Sequence, residues 1–233
     1  MAYIRQTVSV VSPGQNALGD PQVLSLAVTL PNPVLVGSTI LVFATEANGG
    51  NAGLPITVTD SAGNPYSKLD QVDDTSNAAW QSMFSFAAYN VPPGTEQVTV
   101  NYREFEWQGV LVVEVAGVTS LPMLQHLGNV QRGTATTSNA ITSGLMTAGA
   151  APGTVIGLSM ATFDTKGAPA AGTGFTAAAS VWNWNGEENT ARAPSALLEY
   201  QHFTSPGDVA ATFTASVSGD DWDTIGVFFP DAR

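Results

Sequence analysis

The chain has no cysteine, and among its 233 residues only two histidines and two lysines. Without cysteine there are no disulfides, no thiolate metal centres and no cysteine nucleophile. Two isolated imidazoles, His126 and His202, leave zinc without a ligand set. They also sit outside any G-x-S-x-G elbow or H-E-x-x-H helix, so both are expected to be surface or structural histidines. Charge is scarce too, at 11% of residues against about 25% in an ordinary soluble domain. With a hydrophobic share of 44%, that composition excludes a disordered chain. No run of about 18 apolar residues occurs, so no membrane-spanning helix is expected. The opening Met-Ala-Tyr-Ile-Arg-Gln lacks the basic and apolar regions of a secretion signal. Either a leader has been removed or the chain reaches its working place without one.

Positive charge is the scarcest of all. Seven basic against nineteen acidic residues give a net charge of −12. Residues 1–120 carry ten acids and three bases, and residues 121–233 nine and four, so there is no acidic tail. Such a surface repels phosphate backbones and anionic headgroups, and neither a nucleic acid nor a membrane is expected as partner. A neutral or basic partner surface is.

What is present has a period of two. Val8 and Val10 alternate with Thr7 and Ser9, Leu24 to Leu30 with Ser25, Ala27 and Thr29, Ile56 and Val58 with Thr57 and Thr59. Such runs read as half-buried strands. Turn clusters separate them, among them Ser12-Pro13-Gly14, Pro31-Asn32-Pro33, Pro92-Pro93-Gly94 and Ser205-Pro206-Gly207. About fifteen strands can be counted this way, and no window makes an amphipathic helix. The halves echo each other: Gly37–Thr45 lines up with Gly153–Thr162, the Gly94 turn with the Gly207 turn, and Gly109 with Gly226, at offsets of 116, 113 and 117. The expectation is an all-β protein of two tandem, similar Greek-key or jelly-roll sandwich units, 1–120 and 121–233.

The segment Val58-Thr59-Asp60-Ser61-Ala62-Gly63-Asn64-Pro65-Tyr66 resembles the V-T-D-S-x-G-N-x-Y turn of β-sandwich modules in phage virion proteins and bacterial cell-surface proteins. The strands after it follow the same pattern: aromatic Trp80 to Tyr89, the Pro93 turn, and apolar Val110 to Val118. The resemblance covers about the first 120 residues and implies a non-catalytic display or recognition module.

Several residue groups could carry chemistry. Glu104 and Glu106 lie about 7 Å apart on one face of an extended strand, within the carboxylate spacings that glycosidases use. A solvated strand face is the expected reading. Glu114 shares a face with Val110, Val112 and Ala116, where a carboxylate is costly unless hydrogen-bonded. It is expected to accept from turn backbone N–H groups. Asp70, Asp73, Asp74 and Asn77 form one oxygen-rich stretch, and Asp220, Asp221 and Asp223 another. Both read as solvated acidic loops, with calcium the only cofactor either could hold. Trp182 and Trp184 would project from one strand face beside Asn183 and Asn185 and the acids Glu187 and Glu188. That is a sugar-stacking platform if exposed, and core packing if not. Trp80, Trp107 and Trp222 read as core or edge packing.

The function expected from these features is a non-enzymatic structural and display protein of a phage virion, either capsid decoration or tail-associated. Its partners would be other virion proteins and further copies of itself. The first alternative is a carbohydrate-binding module at the bacterial cell surface or outside the cell. The second is a jelly-roll glycoside hydrolase or lyase using Glu104 and Glu106.

Overall fold

A computed structural model describes residues 1–12, 24–47, 56–74, 81–103, 107–118, 127–134, 140–147, 152–162, 169–182, 195–205, 207–215 and 221–231; at 47, 74, 107, 127–134, 147, 161–162, 181–182, 195 and 221 it describes backbone only. The described residues are all-β, as expected, with antiparallel strands and no helix. The first half contributes β1 (Tyr3–Val11), β2 (Ser25–Thr29), β3 (Thr39–Ala47), β4 (Thr57–Asp60), β5 (Ser67–Asp74), β6 (Gln81–Ala88), β7 (Gln97–Asn101) and β8 (Trp107–Ala116). The second contributes β9 (Leu127–Thr134), β10 (Ala140–Thr142), β11 (Met146–Thr147), β12 (Gly153–Thr162), β13 (Ala170–Ala171), β14 (Thr176–Trp182), β15 (Ser195–Phe203), β16 (Asp208–Val209), β17 (Thr212–Thr214) and β18 (Asp221–Pro230).

Each half builds one five-stranded and one three-stranded sheet. The orders are β1-β8-β3-β6-β5 and β2-β7-β4 in the first half, β9-β18-β12-β15-β14 and β10-β17-β13 in the second, which adds a short β11-β16 pair. Read in parallel, the two sets have one topology. The repeat seen in the sequence is therefore structural, with β3 and β12 as equivalent central strands.

The residue register of that repeat differs from the sequence alignment by one. Leu41 and Phe43 pack in the same core as Ile156 and Leu158, so the offset along β3 and β12 is odd, not 116. Val42 pairs with Phe86 and Gly157 with Glu199, so an offset of 115 along β3, the odd value just below 116, goes with one of 113 along β6. The cause is burial on both sides. Ile40 to Ala44 form an unbroken apolar run because both faces of the sheet are covered, so the face that each residue takes is not written in polarity.

Three cores follow. Leu26, Val28, Val42, Phe84 and Val112 fill the space between the two sheets of the first half. Val155, Leu197, Phe213, Trp222 and Phe228 do the same in the second. The central core belongs to both halves: Phe43, Met83 and Leu111 from one five-stranded sheet meet Leu158, Met160 and Ile225 from the other. Each such side chain contributes about 1.5–3 kcal/mol when fully buried, so the halves are held as one four-layer stack. Edge strand β1 lies against β14, and edge strand β5 against β9. That exchange is what a two-fold axis running along the strands produces, so the interface between the halves has the self-complementary form of a two-fold dimer.

Both chain ends meet at one rim of the central layer. The Ala2 N–H donates to Asp231 Oδ1 at 2.6 Å, and Thr154 Oγ1 donates to the Ala2 carbonyl at 2.7 Å. Gly117 faces this clasp at φ +73°, where an added Cβ would sit 2.0 Å from the Met1 carbonyl oxygen. Gly117→Ala is expected to cost about 2–4 kcal/mol, from backbone strain plus that collision. Gly63, with φ +74° and open space around it, isolates the strain alone. Thermal unfolding of Gly63→Ala should therefore show the smaller loss; equal losses would mean the clasp moves aside freely.

Candidate functional site

The D-S-x-G-N segment is a closed hydrogen-bonded turn. Asp60 Oδ1 accepts from the N–H groups of Ala62 and Asn64, both at 3.0 Å, forming an Asx-type turn. Its Oδ2 accepts from Asn64 Nδ2 at 2.7 Å and from the Tyr66 hydroxyl at 3.0 Å. Asn64 Nδ2 also donates to Thr95 Oγ1, and Ser61 Oγ accepts from the N–H of Glu96, which ties the turn to the neighbouring Pro93-Gly94 turn. Burial, then the charge of Asp60, pushes the Tyr66 phenol far above its ordinary range. Asp60 is thus occupied by structure.

Glu114 does what its apolar strand face demanded. Its side chain is fully buried, and four donors surround it. Leu35 N–H and Ser38 Oγ donate to Oε1 at 2.8 and 2.9 Å, while Arg5 Nη1 and Gln6 Nε2 donate to Oε2 at 2.6 and 2.5 Å. Arg5 also reaches the Pro33 carbonyl, and Gln6 exchanges two bonds with the Asn32 backbone. One carboxylate therefore pins the 32–38 connection onto β1 and β8.

Glu199 is a second buried carboxylate, missed in the sequence. Its Oε2 accepts the Gly172 N–H at 2.8 Å and its Oε1 the Thr212 N–H at 3.0 Å, which fastens the small β10-β17-β13 sheet to β15. Burial pushes this carboxyl up to about 7, against the lowering effect of the two N–H groups. The one available signal was its place two residues beyond Leu197, whose face became known only with the fold.

His202 stands 3.2 Å from Asp231 Oδ2, a satisfied structural position as expected. Burial raises the Asp231 carboxyl, but the Ala2 N–H and the His202 ring outweigh it and hold the group below its ordinary range. His126, Glu104 and Glu106 lie outside the described residues.

The two acidic stretches are strands where loops were expected. Asp70, Asp73 and Asp74 belong to β5, and Asp221 and Asp223 to β18; Asp220 lies outside the described residues. β18 packs against β5 across the central layer, so stretches about 150 residues apart in sequence lie on two strands of one interface. Asp223 is fully buried. Among the described residues no group of three metal-ligating side chains assembles. Trp182 ends β14, paired with Ser195. Its indole, and all of Asn183, Trp184 and Asn185, lie outside what is described. Trp222 is buried in the second half's core.

The outer face of β2-β7-β4 is of another kind. In rows across the strands it presents Ser25, Asn101 and Thr57, then Ala27, Thr99 and Thr59, then Thr29 and Gln97. All eight are exposed or half-exposed, their neighbours on β2 and β7 are buried, and none carries charge. The bonds along it are long: Gln97 Nε2 to Thr29 Oγ1 at 3.4 Å, Asn101 Nδ2 to Thr57 Oγ1 at 3.5 Å. The equivalent face of the second half presents Ala140, Thr142, Ala170, Thr212 and Thr214, also without charge.

No protein-family model, curated protein or solved structure matches this chain.

Proposed function

We propose that the chain is a non-catalytic structural and display protein, a phage virion component of the capsid-decoration or tail-associated kind. The observation that carries the reading is how four of its acids are used. Asp60, Glu114, Glu199 and Asp231 each hold backbone or loop groups in place, and the partners described for them form no base–nucleophile pair. A four-layer stack with buried straps is a rigid block suited to presenting surfaces. The turn resemblance and the acidic, lysine-poor surface support the same reading.

Gold-labelled antibody raised against the chain should decorate phage particles from the source culture, and the pure protein should leave esters and polysaccharides uncleaved. Particles without label would remove the virion assignment. Sugar release abolished by Glu104→Gln or Glu106→Gln would replace it with the hydrolase reading.

A further inference from the structure

We propose that the outer face of the β2-β7-β4 sheet binds an uncharged oligosaccharide of three or four rings through Thr29, Thr57, Thr59, Gln97, Thr99 and Asn101. This deepens the reading just given and rests on it, since a display module needs something to recognise.

Charge, size and chemistry each narrow the occupant. Most of this −12 protein repels anions, yet these positions hold no acid at all, nor any base that would call for an anionic ligand. Three strands about 4.8 Å apart and five residues about 3.3 Å each give a face about 15 Å on a side. Eight side chains fall well short of the roughly 20–30 residues that a stable protein interface takes from each partner. Nor is there an aromatic or large aliphatic anchor of the kind that carries such interfaces. A second copy of the chain therefore has too little to hold. A short neutral glycan matches the size.

The groups also match in kind. Hydroxyls donate and accept, and the two amides offer both functions at fixed points. The long contacts that Gln97 and Asn101 make within the face are weak, so exchanging them for sugar hydroxyls loses little. Threonine methyls and Ala27 leave flat apolar ground between the polar groups for the C–H face of a ring. Buried Val98 and Val100 beneath keep β7 rigid, so the array is ordered before any ligand arrives. The smaller second face points away on the opposite side of the stack, so one chain would bridge two glycan strands.

The test uses the full chain in titrations with four neutral tetrasaccharides (cello-, malto-, manno- and chitotetraose) and an alginate tetramer as anionic control, read by amide NMR shifts. At least one neutral tetramer should bind at about millimolar to high-micromolar affinity, shifting β2, β4 and β7, while alginate should not. Thr59→Glu should weaken binding about tenfold or more at an unchanged melting temperature. The truncation pair Gln97→Ala and Asn101→Ala gives the same readout without added charge. Four silent tetramers, or binding that survives both variants, overturn the proposal. So does a concentration-dependent dimer that either variant dissolves, which would make the face a contact between copies. Labelled particles with no glycan binding would sink this inference and leave the display reading standing, whereas glycan binding by a protein absent from particles would do the reverse.

Discussion

Glu114→Ala is expected to lower the unfolding free energy by about 3–5 kcal/mol, the range for removing one partner of a buried ion pair. The loss arises from what remains. Arg5 would keep a guanidinium 25% exposed beside an empty, fully buried site. Gln6 Nε2, Leu35 N–H and Ser38 Oγ would each lose an acceptor in the same stroke. A buried donor without a partner costs about 1–3 kcal/mol. Relaxation of the 32–38 connection toward water limits the sum, so the effect should appear partly as local opening there. Urea unfolding measures the first quantity, and amide exchange at Leu35 the second. A double-mutant cycle with Arg5→Met and Glu114→Met separates the ion pair from the backbone strap. A loss under about 1 kcal/mol in Glu114→Ala would mean that the connection is held by other groups.

The strap was legible in the sequence because it is an exception within a pattern. Val110, Val112 and Glu114 alternate, so a single carboxylate on an apolar face had to find donors, and the nearest candidates were turn N–H groups. Leu26, Val28 and Leu30 were legible for the same reason, with water on one face of their sheet and core on the other. Where both faces are covered, the pattern falls silent. Every residue of β6, Gln81 to Ala88, is buried, so nothing in its polarity separates the face toward Phe86 from the face toward Met83. That silence produced the one-residue error in aligning β3 with β12. It also hid the central layer, because the pairing of Phe43 and Leu111 with Leu158 and Ile225 depends on how two sheets stack, which no local spacing encodes. Asp70 and Asp223 read as separate solvated loops because the stacking of two sheets, and not neighbouring sequence, brings β5 to β18.

The same alignment, corrected, explains why the buried carboxylates do not repeat. With β3 placed on β12 at an offset of 115, Glu114 falls on Phe228 and Phe86 falls on Glu199. Each half has thus put its acid where the other has a phenyl ring, Glu114 under the 32–38 connection and Glu199 under the small sheet. Among the described residues no guanidinium reaches Glu199, and both of its donors are backbone N–H groups. Two neutral donors compensate a buried charge less well than a guanidinium does.

Glu199 gives the second half a pH dependence. Glu199 titrates near 7 in the folded chain, against 4.5 as its ordinary value. Between those two values the folded state holds a proton that the unfolded state has released, so stability falls as pH rises from about 4.5 to about 7 and is level above it. At about 1.4 kcal/mol per pH unit, the interval corresponds to roughly 3 kcal/mol. The other carboxylates add their own slopes, so the measurement is a difference: urea unfolding of the wild type and of Glu199→Gln at intervals from pH 4.5 to 8.5. The Gln variant should be the less stable at low pH, because its amide nitrogen can accept from neither Gly172 nor Thr212. The gap should close by about 3 kcal/mol as pH rises, since only the wild type then has to ionise a buried group. Parallel curves would mean that Glu199 stays charged throughout, with water or a cation supplying what its two N–H partners do not.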